Sequence, residues 1–188
     1  MNKHTQALMW ASGNDDTETP DALFAELDRE FNFVADMAAT KENRKVFEYF
    51  GPDHHDPAQR DCLRATWPVG PVWMNPPYSE AERACNKKCV KKRCVERGFC
   101  LDVDKPGCYD FVRAAALARK HGTTTVCLLA SRTDTAWWHE FVYNEKTGRY
   151  RPGVKVRFLR GRLTFEGQQN GAPFPSVIVV FKAKQHER

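Results

Sequence analysis

The sequence predicts a single-domain, layered α/β protein, and three observations carry that expectation. Strand and helix signals alternate along the chain, two strand signals lie near its end, and 188 residues suffice for one sizeable core but not for two full-sized domains. With 41% hydrophobic and 28% charged residues, the composition is that of a folded globular chain, which excludes wholesale disorder and a fibrous repeat. One unit over residues 1–188 is expected.

Thr19-Pro20 is a helix-start signal, because Thr caps orphan amides and Pro is pre-set for the first turn. Leu23, Phe24 and Leu27 follow at helical spacing, so a helix runs from Pro20 to about Glu30. Phe31, Phe33 and Ala35 alternate with Asn32 and Val34 and read as a short strand running into Asp36. Residues Lys41 to Phe50 are expected to form a second helix, and 51–70, rich in Pro, Asp and His, a loop with at most one short strand. Val72 to Met74 reads as a brief strand stopped by Asn75, Pro76 and Pro77, since consecutive prolines continue neither a ladder nor a helix. Beyond them come an Ala-rich helix from Tyr109 to Lys120, a buried strand from Thr123 to Ala130 and a helix from Thr135 to Tyr143. Val154, Val156 and Phe158 alternate with Lys155 and Arg157, a strand with one basic face, and Val177 to Lys182 is a last β-branched strand.

The longest apolar stretches, Thr125 to Ala130 and Val177 to Phe181, fall far short of the ~18 to 20 residues that cross a bilayer. Met1 to Gly13 lacks the pattern of a secretory signal, so a cytoplasmic protein without membrane contact is expected. The net charge of +5 is unevenly spread. Residues 1–80 hold seven Lys+Arg against fourteen Asp+Glu, and residues 81–188 hold 22 against ten. Such a cationic half attracts polyanions, nucleic acid above all, although a solvated face has the same composition. Seven cysteines, an odd number, argue against a disulfide framework.

The strongest chemical signal is Asn75-Pro76-Pro77-Tyr78, which matches the Asn/Asp-Pro-Pro-Tyr motif of amino-methyltransferases. An exocyclic amine on a base is a poor nucleophile because its lone pair is delocalised into the ring. Two acceptors, the Asn75 side-chain oxygen and the Pro76 carbonyl, can hold the two amine hydrogens so that the lone pair points at a methyl donor. The prolines fix those acceptors in advance. Tyr78 offers a flat face for a base taken out of its duplex. Read without its context, the same tetrapeptide is a turn between a strand and a helix.

Several blocks in order extend this match. They are Thr19-Pro20 with Leu23-Phe24, Phe33 through Asp36-Met37-Ala38-Ala39 with Asn43, Asn75 through Ser79, and Leu128 through Thr135 with Trp138-His139. Arg157-Phe158-Leu159, Gly161-Arg162-Leu163, Phe165 and Pro173 through Ser176 complete them. Together they resemble the S-adenosylmethionine-dependent DNA N6-adenine methyltransferases of bacteriophages and prophages. The resemblance implies a Rossmann-like sheet, S-adenosylmethionine as cofactor and DNA as partner. It implies that Asp36 and Ala38 form the donor-binding edge, that Thr19 and Pro20 close over the donor's methionine end, and that Asp61 approaches the donor's adenine. The turn after Asp36 lacks the glycine common in such folds, Thr17 stands where the family often has an aromatic, and Asp36 also reads as a helix cap. Arg132 and Asp134 border the cleft, as a nucleotide contact or as a surface ion pair, while Trp137 and Trp138 are expected in the packing.

Between Lys146 and Arg162 there are seven basic residues and no acidic one. Lys155, Arg157, Arg160 and Arg162 are the expected DNA contacts there. A second basic stretch, residues 83–108, reads as an insertion that holds Cys85, Cys89, Cys94, Cys100 and Cys108. Its Lys91, Lys92 and Arg93 are expected to touch the duplex. Cys85, Cys89, Cys94 and Cys100 are a candidate structural zinc site, with free thiols or a redox role as alternatives, since the spacing lacks paired Cys-x2-Cys. The chemistry itself needs no metal. Other acceptors fit the motif, namely RNA bases or protein glutamine, and so does a catalytically silent DNA-binding module.

Overall fold

The computed structural model describes residues 18–86 and 89–184. Met1 to Gly13, Thr17, Lys87 and Lys88 lie outside the described residues. In chain order the elements are α1 (Asp21–Phe31), β1 (Ala35–Asp36), β2 (Gly70–Met74), α2 (Lys92–Arg97), α3 (Cys108–Ala118) and β3 (Thr123–Ala130). A hairpin of β4 (Tyr143–Asn144) and β5 (Arg149–Tyr150) follows, then β6 (Val154–Phe158) and β7 (Ser176–Phe181). Five strands form one mixed sheet in the order β1-β2-β3-β7-β6. The first three are parallel, and β7 runs antiparallel between β3 and β6.

The strands bury both faces, which is why β3 and β7 read as almost continuous apolar runs. On one face Val72, Met74, Cys127, Leu129, Val177 and Val179 pack under Phe111, Val112 and Ala115 of α3. On the other, Trp73, Val126, Leu128, Ile178 and Val180 meet Leu27 of α1 with Phe33 and Phe165. Trp137 and Trp138 are buried in the first cluster, as packing residues.

Two expectations are corrected. The alternation from Phe31 to Ala35 is not a strand throughout. α1 ends at Asn32 in a left-handed conformation (φ 54°), and Phe33 donates its N–H to the Asp28 carboxylate at 2.9 Å, so only Ala35 and Asp36 join the sheet. Residues 41–50 are not helical. The Asn43 carboxamide accepts the Thr40 N–H at 2.7 Å, a local bond that competes with helix, and Tyr49 then pairs in parallel with Asp36. Gly51 closes this return: a Cβ there would sit 1.6 Å from the Ala39 carbonyl oxygen. The helix expected over 135–143 is present over 136–142, its last five residues, Trp138–Val142, wound as a π turn before the β4–β5 hairpin.

Because β1, β2 and β3 are parallel, their carboxyl ends lie at one end of the sheet, where β7 begins and β6 finishes (Ala130 opposite Ser176, Phe158 opposite Val177). Asp36 at the end of β1, Asn75 just past β2 and Ser131 just past β3 therefore all lie at this end of the sheet, at successive levels along the strands.

Candidate active site

Asn75 follows the last residue of β2, with Pro76 and Pro77 buried behind it. Its carboxamide is held from two sides. Nδ2 donates to Thr19 Oγ1 at 3.2 Å, and the Tyr78 hydroxyl donates to Oδ1 at 2.8 Å. The Tyr78 ring is half-buried, edge-on to Phe174 at 5.3 Å between ring centres and 6.3 Å from Phe165. One edge of that ring is thus tied into the packing beneath the site. Beside it opens a cavity of about 320 Å³ lined by Tyr78, Ser79, Cys108, Ala130, Arg132 and Trp137 among others.

Thr19 is itself buried, in a segment locked by distant contacts. Glu18 pairs with Glu166 through the Glu166 N–H at 2.9 Å, and the Lys45 ammonium bridges Glu18 at 3.0 Å and Asp21 at 2.6 Å. Burial pulls the Lys45 ammonium down, but the two carboxylates together hold it above its ordinary value. These pairings have no local signature in the sequence, because each joins residues far apart along the chain.

Asp36, 3% exposed, accepts the Lys45 N–H at 3.1 Å and the Ala38 N–H at 3.4 Å. It therefore ties down a loop, not the helix that a cap would require. Loss of solvent pushes its carboxyl up to about 6 against those two amides and the Lys45 charge. Among the described residues no Lys or Arg side chain reaches it within ion-pair distance. A buried carboxylate without an ion-pair partner at contact distance suits a cationic ligand group. Asp61 sits in a turn, accepting the Leu63 N–H at 3.0 Å and lying 3.5 Å from Arg64 Nε. With Leu63, Ala81, Ala114 and Leu117 it lines a cavity of about 480 Å³, which shares Ala81 with the first.

The basic residues separate into groups. Arg160 and Arg162 are exposed just past the end of β6, at the sheet end that carries Asn75. Lys155 lies farther along β6, opposite Val180, and presses on Lys182, whose ammonium it lowers. Arg157 grips both oxygens of Glu30 in α1 and covers the Phe31 ring, so it is engaged within the protein. Arg132 is 3.9 Å from Asp134 in an exposed pair at the mouth of the smaller cavity.

Residues 82–105 form a small projection. Glu82 and Lys105 exchange backbone hydrogen bonds at its base, and Lys91, Lys92 and Arg93 are exposed on it. Cys85, Cys89, Cys94 and Cys100 converge there, their sulfurs all within 4.8 Å of one another, an arrangement that could hold a metal ion. A backbone hydrogen bond from Lys91 is the main influence drawing the Cys89 thiol down to about 7. Among the described residues, which include all seven cysteines, no disulfide forms, and no helix is long and apolar enough to cross a membrane.

A family model described as DNA N-6-adenine-methyltransferase (Dam) matches residues 7–188. A DNA N-6-adenine-methyltransferase of Haemophilus phage HP1 (strain HP1c1) is 27% identical over 168 residues, covering 88% of this chain and 78% of that protein. No solved structure matches the chain with significance.

Proposed function

Because the chain belongs to the DNA N-6-adenine-methyltransferase (Dam) family, we propose that it transfers a methyl group from S-adenosylmethionine to N6 of an adenine in DNA, on a Rossmann-like sheet. The observation that carries the proposal is the Asn75 carboxamide, fixed by Thr19 and Tyr78 at the carboxyl end of a parallel strand and followed by two buried prolines. A carboxamide oxygen has two lone pairs, so Asn75 Oδ1 can take an amine hydrogen while it still accepts from Tyr78. The Pro76 carbonyl takes the second hydrogen. With both hydrogens engaged, the N6 lone pair is turned out of conjugation and aimed.

S-adenosylmethionine supplies a methyl group on a sulfonium centre, which needs no metal to react. Asp36 holds the donor's ammonium, Thr19, Pro20 and Ala38 enclose its methionine end, and the Asp61 carboxylate accepts from its adenine. The buried carboxylate of Asp36, with no ion-pair partner among the described residues, supports this fit. The adenine must leave the duplex, because its amine is otherwise engaged in pairing. Tyr78 flanks it, and Arg132, Arg160 and Arg162 hold nearby phosphates. No side chain is required as a base, since the proton of the methylated amine can pass to water.

Incubation with methyl-labelled donor, duplex DNA and RNA of the same sequence tests the acceptor. Label in DNA is the expected result, and label confined to RNA or to protein overturns it.

A further inference from the structure

The projection at 82–105 has almost no core of its own. Cys94 and Leu101 are buried, whereas Val90 is 88% exposed and Val95 is also open to solvent. Its helix α2 has six residues, far too few to be stable alone. Small units of this kind need a covalent or metal staple.

Four thiols meet at its centre, one from each part of the fold: Cys85 from the outgoing arm, Cys89 from the segment before α2, Cys94 from α2 and Cys100 from the returning arm. Cys94 Sγ is 3.3 Å from that of Cys85 and 3.5 Å from that of Cys89, and the whole set spans no more than 4.8 Å. Tetrahedral zinc–thiolate bonds of ~2.3 Å place sulfurs about 3.8 Å apart, inside that range. The surroundings suit an anionic zinc–thiolate centre. Arg97 Nη2 donates to Cys94 Sγ at 3.5 Å, and Lys91, Lys92 and Arg93 lie in the same stretch.

We infer that Cys85, Cys89, Cys94 and Cys100 bind one zinc ion, and that this ion folds the 82–105 projection. Four protein ligands leave no open position, so the ion is structural and not a reagent. The projection is firmly rooted: Arg97 pairs with Glu82 through two hydrogen bonds, and the Cys108 N–H bonds the Ser79 carbonyl at 2.9 Å. A Cβ at Gly107 would lie 2.1 Å from the Ala81 nitrogen, so the neck packs directly on the chain that leaves Tyr78. The ion thereby sets where Lys91, Lys92 and Arg93 stand relative to Asn75. The metal site does not depend on the methyl-transfer reading.

The full chain, purified under reducing conditions from zinc-supplemented culture, is analysed for metals and then titrated with a mercurial thiol reagent. The expected result is one zinc ion per chain, released as four thiols react, and tetrahedral thiolate absorption bands when cobalt replaces it. Removal of the ion should speed tryptic cleavage after Lys91, Lys92 and Arg93 about tenfold or more, as local unfolding exposes the segment. C100S, at an exposed ligand, should lose the zinc while the sheet stays folded. Metal-free protein, iron in place of zinc, zinc retained in both C100S and C94S, or cleavage indifferent to the metal would each overturn the inference.

Discussion

Asn75 and Thr19 stand 56 positions apart, yet the Asn75 Nδ2 donates to the Thr19 hydroxyl at 3.2 Å. That bond decides which way the carboxamide faces, because it assigns the nitrogen to Thr19 and leaves the oxygen toward Tyr78. T19V keeps the volume and removes the acceptor. It should lower kcat about tenfold, roughly 1.4 kcal/mol of transition-state positioning, and cost about 1 kcal/mol of stability. T19S should restore most of the rate. Steady-state kinetics with denaturant unfolding separate the two effects, and a T19V rate equal to wild type would remove Thr19 from the positioning role.

Tyr78 has two parts with separable effects. Its ring packs on Phe165 and Phe174, and its hydroxyl meets Asn75. Y78F should keep the KM for DNA and lower kcat about threefold, since Asn75 retains its hydrogen bond to Thr19. Y78A should cost about 2 kcal/mol of stability and raise the KM for DNA, because the half-buried ring is removed. Equal damage in the two variants would make the hydroxyl the part that matters.

Asp36 links stability to pH with a definite sign. Its folded-state carboxyl titrates at about 6, above its ordinary value of 3.8, so between those values the folded protein binds more protons than the unfolded chain. The stability that Asp36 contributes is therefore present in acid and lost as pH rises through 6. From pH 4.5 to 7.5, wild type should lose on the order of 2 kcal/mol relative to D36N, read by urea unfolding without donor. Donor affinity should run the other way, rising as Asp36 ionises in wild type and staying low and flat in D36N. A pH-independent difference between the two proteins would contradict a desolvated Asp36 carboxylate.

Lys91, Lys92 and Arg93 are exposed on the projection, Lys91 bonding the Arg83 carbonyl and Lys92 lying 3.7 Å from Glu96. Replacing all three with Ala should weaken DNA binding and reduce the slope of log affinity against log salt by about 0.9 for each phosphate no longer neutralised. Affinity for S-adenosylmethionine should be unchanged. Fluorescence anisotropy across a salt series checks this, and an unaltered slope would show that the projection does not touch phosphate.

Much of this is legible in the residues themselves. α1, β2, β3 and β7 announce themselves because apolar periodicity and their Pro or Gly borders agree with the packing, and Asn75 stands out because Pro76 and Pro77 stop β2 there. The segment 41–50 reads as helix, yet its helix-compatible residues are overruled by long-range pairing with β1 and by the close approach at Gly51. Arg157 reads as part of a free basic strip, yet its partner Glu30 lies 127 positions away. The cysteine spacing is irregular, and only the fold brings four sulfurs together.

In the proposed reaction Asn75 holds the N6 amine of an adenine in DNA for methylation. Digestion of duplex DNA after incubation with wild type or N75A, followed by separation of the nucleosides, tests it most directly. Wild type should yield N6-methyldeoxyadenosine, and N75A should yield at least about a hundredfold less while binding S-adenosylmethionine as well as wild type. Methylated cytosine in its place, or N75A turnover close to that of wild type, would contradict the account.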